Sequence, residues 1–277
     1  MICIADCKVI CLVNDEAAPG LLSEHGISFY IESKCLRMLY DTGQSGDVLL
    51  HNAAIAKLDL GWVGLILLSH GHYDHSGGLL KALEKSGTIR LMANEAAFHK
   101  KLALSGSGGL KDISLPFEVK ELWNHCDIIL QQGPYSICGG VWATGEIPRV
   151  TSFETPDGRL MEEHKGALCT DQIKDDQSVV IDTGKDGLML ICGCCHSGIV
   201  NTLLYVKTLL GRYPTTVVGG LHMGRADETR IALTVEALKE AGVKKVIPGH
   251  CSGKKISDAL QYAGIEVVPL LAGMRIL

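Results

Sequence analysis

Apolar and β-branched residues gather in short runs separated by Gly, Asn, Asp and Ser, and the period of each run predicts its element. Strands are expected at 2–13, 27–31 and 35–40, the first ended by Asn14 and Asp15 and the third by Asp41-Thr42-Gly43. A helix is expected over 47–58, then a continuous apolar strand at 65–68 and a helix over 79–85. Residues 89–93 read as a strand and 95–104 as a helix, although the periodicity is weak between 88 and 165. A second ordered half begins near Thr170. It has strands at 178–182, 188–192, 216–218 and 244–247, helices at 199–210, 228–241 and 255–263, and a closing apolar stretch at 265–271. Strand and helix alternate in both halves with no linker-like segment between them. The pattern predicts the α/β class and one domain over residues 1–277, with sheets inside and helices outside.

Candidate chemistry concentrates at one strand end. The 65–68 strand runs into Ser69-His70-Gly71-His72-Tyr73-Asp74-His75, which places four potential ligands (His70, His72, Asp74, His75) within six residues. Neutral imidazole and carboxylate hold zinc, iron or manganese at neutral pH. So dense a run lets one loop face two ions, His70 and His72 on one, Asp74 and His75 on its neighbour. Three later histidines, His196, His222 and His250, each follow an apolar strand and a small residue or glycine. An α/β scaffold brings such strand ends to one rim.

Other residues carry weaker signals. Asp41 is either a helix cap or a group that orients a ligand histidine. Asp171, Asp175 and Asp176 read as a solvated acidic turn. Cys192, Cys194, Cys195 and Cys251 flank His196 and His250, but Cys194 and Cys195 are adjacent, which makes joint ligation awkward and favours small packed or redox-sensitive neighbours over a structural zinc site. Backbone amides at Ser197-Gly198 and Ser252-Gly253, with Arg225, Lys254 or Lys255, are candidates to receive a phosphate. Trp123, His125, Cys126 and Trp142 read as packing. The chain has no Gly-x-Ser-x-Gly elbow for serine catalysis.

Composition narrows the partners. A net charge of −5 argues against nucleic-acid or anionic-membrane binding, so a small-molecule substrate is expected, with self-association left open. No apolar run approaches the roughly 20 residues that span a bilayer. The apolar start lacks a basic n-region, and eleven cysteines without a secretion signal point to a reducing, cytoplasmic setting.

The His-x-His-x-Asp-His stretch resembles the signature of the metallo-β-lactamase superfamily. Further motifs follow in order: Glu24-His25-Gly26, Asp41-Thr42-Gly43, Asp175-Asp176-Gln177, Gly193 to Asn201, Gly219-Gly220-Leu221-His222 and Gly249 to Gly253. Together they resemble the branch that includes the dihydropterin-transferring synthases of methanopterin biosynthesis. The resemblance implies a four-layer αββα sandwich holding two divalent ions, zinc first, manganese or iron otherwise. It puts His70, His72 and His196 on one ion, Asp74, His75 and His250 on the other, and Asp41 in support. Asp74 and His222 are the expected catalytic residues, with Ser197, Ser252 and Arg225 near the substrate. Where many members carry a bridging Asp, this chain has His222. Either His222 serves the site or Asp227 fills the gap. The implied reaction is hydrolysis of a phosphorylated or ester-containing small molecule, or dihydropterin transfer with loss of diphosphate. The rivals are a diiron redox protein and a non-catalytic metal-binding or sensory module.

Overall fold

A computed structural model describes residues 7–86, 89–106, 108–164 and 166–277. The first half runs β1 (Lys8–Val13), β2 (Ser28–Ser33), β3 (Leu36–Tyr40), α1 (Asp47–Ile55), β4 (Leu65–Leu67), α2 (Tyr73–Ser76), α3 (Leu79–Lys85) and β5 (Ile89–Ala93). Seven short strands follow: β6 (Lys101–Leu104), β7 (Leu110–Asp112), β8 (Cys126–Leu130), β9 (Tyr135–Cys138), β10 (Val141–Ala143), β11 (Leu160–His164) and β12 (Ala167–Thr170). The second half is β13 (Ser178–Asp182), β14 (Leu188–Cys192), α4 (Ile199–Leu210), β15 (Thr216–Gly219), α5 (Glu228–Glu240), β16 (Lys245–Pro248), α6 (Lys254–Tyr262) and β17 (Glu266–Val267).

Two large sheets stack face to face. One has the order β1-β2-β3-β4-β5-β8 and the other β17-β16-β15-β14-β13-β10-β9. Phe29, Met38, Leu65 and Leu67 from the first meet Val179, Ile181, Ile191 and Val218 from the second in a shared core. The opposite face of the first sheet packs Leu39, Ile66 and Leu68 on Leu49 of α1 and Leu79 and Leu83 of α3. Likewise Leu190, Val217 and Val246 pack on Leu203 of α4, Leu238 of α5 and Ile256 of α6. This is the αββα sandwich. Strand β4 is buried on both faces, which is why it reads as an unbroken apolar run rather than an alternating one. Among the described residues no helix is long and apolar enough to cross a membrane.

One expectation is corrected. Residues 95–104 are not one helix: Glu95–Phe98 form a single 3₁₀ turn capped by Asn94, and β6 follows. Strand β6 pairs with β11 and β7 in a separate four-stranded sheet, so sheet pairing overrides the local helical pattern. Of the closing stretch 265–271, only Glu266 and Val267 join a sheet. Residues 2–6 of the first expected strand lie outside the described residues.

Candidate metal centre

The rim where β3, β4, β14, β15 and β16 end brings together seven of the eleven histidines. Ring centroids are 4.4 Å apart for His70–His72, 4.7 Å for His70–His196 and 4.1 Å for His70–His75. His250 lies 5.2 Å from His75 and 4.7 Å from His25, and His222 lies 4.2 Å from His196.

Partners fix how most of these rings point. Asp41, fully buried at the end of β3, accepts from Ser69 N and Ser69 Oγ, each at 2.6 Å, and from His75 Nδ1 at 2.7 Å. Ser69 Oγ is in turn 2.9 Å from His70 Nδ1. Asp41 therefore orients two rings and is not a helix cap. His70 presents Nε2, 2.9 Å from His72 Nδ1, and His75 presents Nε2, 3.2 Å from Cys194 Sγ. Asp15 takes the Nδ1 protons of His250 at 2.7 Å and His25 at 3.1 Å, which turns both Nε2 atoms toward Asp74 Oδ2 at 3.3 Å. Holding a ring by its second nitrogen fixes its tautomer and raises its basicity as a ligand.

Electrostatics divide the rim. Burial, with neighbouring imidazoles, pushes the pKa values of His70 and His196 well below the usual histidine range, and burial brings His72 to about 3. All three are neutral imidazoles at pH 7. His72 Nε2 and His196 Nε2 are buried nitrogens without a protein partner, a cost a protein rarely bears unless something else binds there. His250 behaves oppositely: burial would lower its pKa, but Asp15 and Asp74 outweigh burial and raise it well above normal. Burial opposes the ionisation of Asp74, yet His75 and His250 hold it well below the usual carboxylate range. For His222, burial is outweighed by Asp157 and Cys251, and the pKa rises to about 9. His222 Nε2 to Asp157 Oδ2 is 3.9 Å, an ion pair rather than a hydrogen bond.

The acidic residues 171–176 are buried, not solvated. The ammonium of Lys101, itself fully buried on β6, lies 2.9 Å from both Asp171 and Asp175. The other oxygen of Asp175 accepts from Gly71 N at 2.7 Å, between the two histidines of the loop. The β6–β11 sheet thus braces the ligand loop through an ion triad. Asp176 accepts from Ser197 N at 2.8 Å, and burial raises its pKa to about 6.

Several substrate expectations change. The anion at the start of α4 is the chain's own Glu154, which accepts from Val200 N and Asn201 N at 3.0 and 2.7 Å. Gly198, at φ 95°, has no room for a Cβ beside that carboxylate. The Ser197-Gly198 turn therefore has no free seat for phosphate. Ser252 is a buried brace, donating to Gly219 O and accepting from Leu221 N. Lys254 pairs with Asp258 in its own helix, and Lys255 lines a groove between α5 and α6. Asp227 caps α5 by accepting from Arg230 N, which removes it as a stand-in for the bridging carboxylate. Arg225 does line a cavity of about 470 Å³ together with His196, His222, Arg149, Arg159 and Arg230. Arg230 Nε is buried there without a partner.

Sequence reasoning did not assign roles to Asp15, His25, Lys101 or Asp157. The Glu24-His25-Gly26 motif was the only signal for the first pair. Four non-glycine residues of the rim, Asp41, Cys195, His222 and His250, adopt left-handed backbone with φ of 60°, 59°, 49° and 48°.

Residues 26–136 match the family described as the metallo-beta-lactamase superfamily. The 7,8-dihydropterin-6-methyl-4-(beta-D-ribofuranosyl)-aminobenzene-5'-phosphate synthase of Methanocaldococcus jannaschii is 29% identical over 265 residues, 91% of this chain and 89% of that one. A second protein of that organism, the uncharacterized MJ0448, is 30% identical over 245 residues, 88% of this chain and 90% of its own. Among solved structures, Tm1679, a metal-dependent hydrolase of the beta-lactamase superfamily, superposes with a TM-score of 0.86 at 28% identity, covering 98% of this chain and 99% of that one. Likeness on this scale, over nearly the full length of each relative, means that the chain belongs to the metallo-β-lactamase superfamily.

Proposed function

We propose that the protein is a metal-dependent enzyme acting on a phosphorylated small molecule, by hydrolysis or by dihydropterin transfer with loss of diphosphate. The observation that carries this reading is the arginine-lined cavity beside the histidine rim. Four guanidinium groups, Arg149, Arg159, Arg225 and Arg230, surround a space sized for a small ligand and opening on His196 and His222. Arg159 is paired with Asp157, and Arg149 donates to backbone carbonyls. Arg230 and Arg225 are left as the principal anion contacts. The synthase and hydrolase likenesses support the two reaction types in turn.

The donor set suits divalent ions: buried neutral imidazoles with bare nitrogens in one group, a carboxylate among hydrogen-bonded imidazoles in the other. His70, His72 and His196 would hold one ion, Asp74, His75 and His250 the second. When bound, such ions polarise a phosphoryl or carbonyl oxygen and ease the ionisation of water. The chain's own groups supply the rest. Asp74, kept ionised by His75 and His250, takes the proton of the incoming nucleophile. His222 keeps its proton at neutral pH and gives it to the leaving oxygen. Arg225 and Arg230 hold the phosphate so that the scissile bond lies over the rim.

The test uses chelator-treated protein reloaded with zinc, manganese or iron. It is offered phosphate esters, lactones and dihydropterin diphosphate, the last with and without an arylamine. Metal-dependent turnover is expected, with Arg225→Ala and Arg230→Ala each raising KM about tenfold or more, the worth of one charge-assisted hydrogen bond. Diphosphate released only in the presence of the arylamine marks transfer; release without it marks hydrolysis. Fully loaded protein that turns over nothing would instead fit the binding-module reading, and a reducible iron chromophore the redox one.

A further inference from the structure

A single sulfur atom stands at the junction of the two ligand groups. Cys194 Sγ lies within 4.8 Å of donor atoms of His70 and His196, and within the same limit of donor atoms of His75 and His250. It is the only residue that those two groupings share among the described residues. The side chain is buried, and its sulfur lies 3.2 Å from His75 Nε2. Gly193 puts it there: its amide donates to Tyr40 Oη, and its bare Cα packs against Ser69 and Asp41, so the end of β14 lies directly against the ligand loop.

We propose that Cys194 is a metal ligand in this chain, its sulfur bridging the two ions held by the histidine groups. The proposal rests on the reading of the rim as a metal centre. An imidazole nitrogen has one lone pair and serves one ion, and the second nitrogen of His25, His70, His75 and His250 is already held by Asp15, Ser69 or Asp41. A side chain that serves both ions through one group is a carboxylate or a thiolate. The buried carboxylates are committed elsewhere. Asp74 Oδ2 faces His25, His75 and His250, all on one side. Asp41 and Asp175 hold the ligand loop; Asp176 binds Ser197 N through Oδ2 and, although its Oδ1 is buried without a partner, it joins neither ligand grouping. Nor do the neighbouring sulfurs compete, since Cys192 Sγ faces Ser178 Oγ and Cys195 Sγ faces Thr202 Oγ1. Cys251 joins Cys194 and His222 in a third grouping that reaches neither His70 nor His75. The bare nitrogen of buried His196 shows independently that the space beside Cys194 suits a cation. On coordination the S–H bond gives way to sulfur–metal bonds, and the proton passes to solvent.

The test loads chelator-treated protein with cobalt(II) and records its absorption spectrum and cobalt content. A near-ultraviolet thiolate-to-cobalt charge-transfer band is expected in the wild type, in Cys195→Ser and in Cys251→Ser. Cys194→Ser should lose that band while keeping the visible ligand-field bands of a nitrogen- and oxygen-bound ion. It should also bind the second equivalent about tenfold or more weakly. Cobalt bound without a charge-transfer band overturns the sulfur ligand and leaves the metal centre standing; a band lost in Cys251→Ser but kept in Cys194→Ser overturns it equally. No cobalt bound at all overturns both readings. Should Cys194→Ser fail to fold, X-ray absorption of the zinc-loaded wild type decides: a sulfur shell near about 2.3 Å supports the proposal, and nitrogen and oxygen neighbours alone overturn it.

Discussion

The two histidine groups at the rim are close neighbours built on opposite principles. His70, His72 and His196 are buried among one another and kept neutral by desolvation. His250 and His25 are held in a carboxylate lattice of Asp15 and Asp74 that favours their charged forms. The first group is uncharged: three neutral rings, two of them with a bare buried nitrogen. The second already balances its charges without any ion. Neutral donors bind a cation without first giving up a proton, so the first group should bind the tighter ion and the second the more exchangeable one.

The largest effect should come from emptying the neutral group. His72→Ala and His196→Ala are each expected to lower metal content per chain, by elemental mass spectrometry, and to abolish turnover. His125→Ala, at an exposed position far from the rim, should change neither. Full metal occupancy in either of the first two variants would end the ligand assignment. A smaller effect should follow from loosening the carboxylate lattice alone. Asp15→Asn keeps the shape but weakens the grip on His250 and His25, and is expected to weaken the second ion about 10- to 100-fold while sparing the first. Stepwise metal titration separates the two; equal loss from both groups would dissolve the contrast.

The smallest effect is on stability against pH in the metal-free protein. His70, His72 and His196 have folded pKa values below the ordinary value of about 6.5. The unfolded chain therefore takes up protons that the folded chain refuses. Their contribution to stability is complete above about pH 6.5 and is lost as pH falls toward 3, by up to about 1.4 kcal/mol per site per pH unit. The raised pKa of His222 acts the other way: its contribution is complete below about 6.5 and lost as pH rises through about 9, so it does not offset the acid loss. Urea midpoints of chelator-treated protein at pH 7 and pH 5 should show the fall. A flat profile would mean that these rings are not desolvated.

What was legible in the sequence follows the range of the interaction. The run from His70 to His75 could be read because its meaning is local, a strand end followed by ligands. The strands 178–182 and 188–192 and the helix 199–210 were legible for the same reason, and their bounds coincide with β13, β14 and α4. Asp15 could not be read as a partner of His250, because 235 residues separate them and nothing at either position announces the other. The acidic residues 171–176 resembled a solvated turn because the buried Lys101 that answers them lies in a stretch with helical patterning. Cys194 was passed over beside Cys195 because adjacent residues rarely ligate together. The backbone there sends one sulfur to the rim and the other to the core.

The left-handed backbone at Asp41, His222 and His250 has a consequence for anyone trying to make this protein sturdier. A non-glycine residue in that conformation costs on the order of 1–3 kcal/mol, and glycine there would relieve it. Glycine at 222 or 250 would relieve that strain and in the same step remove the pairing with Asp157 or Asp15, so the strained positions are held by the contacts that make them histidines.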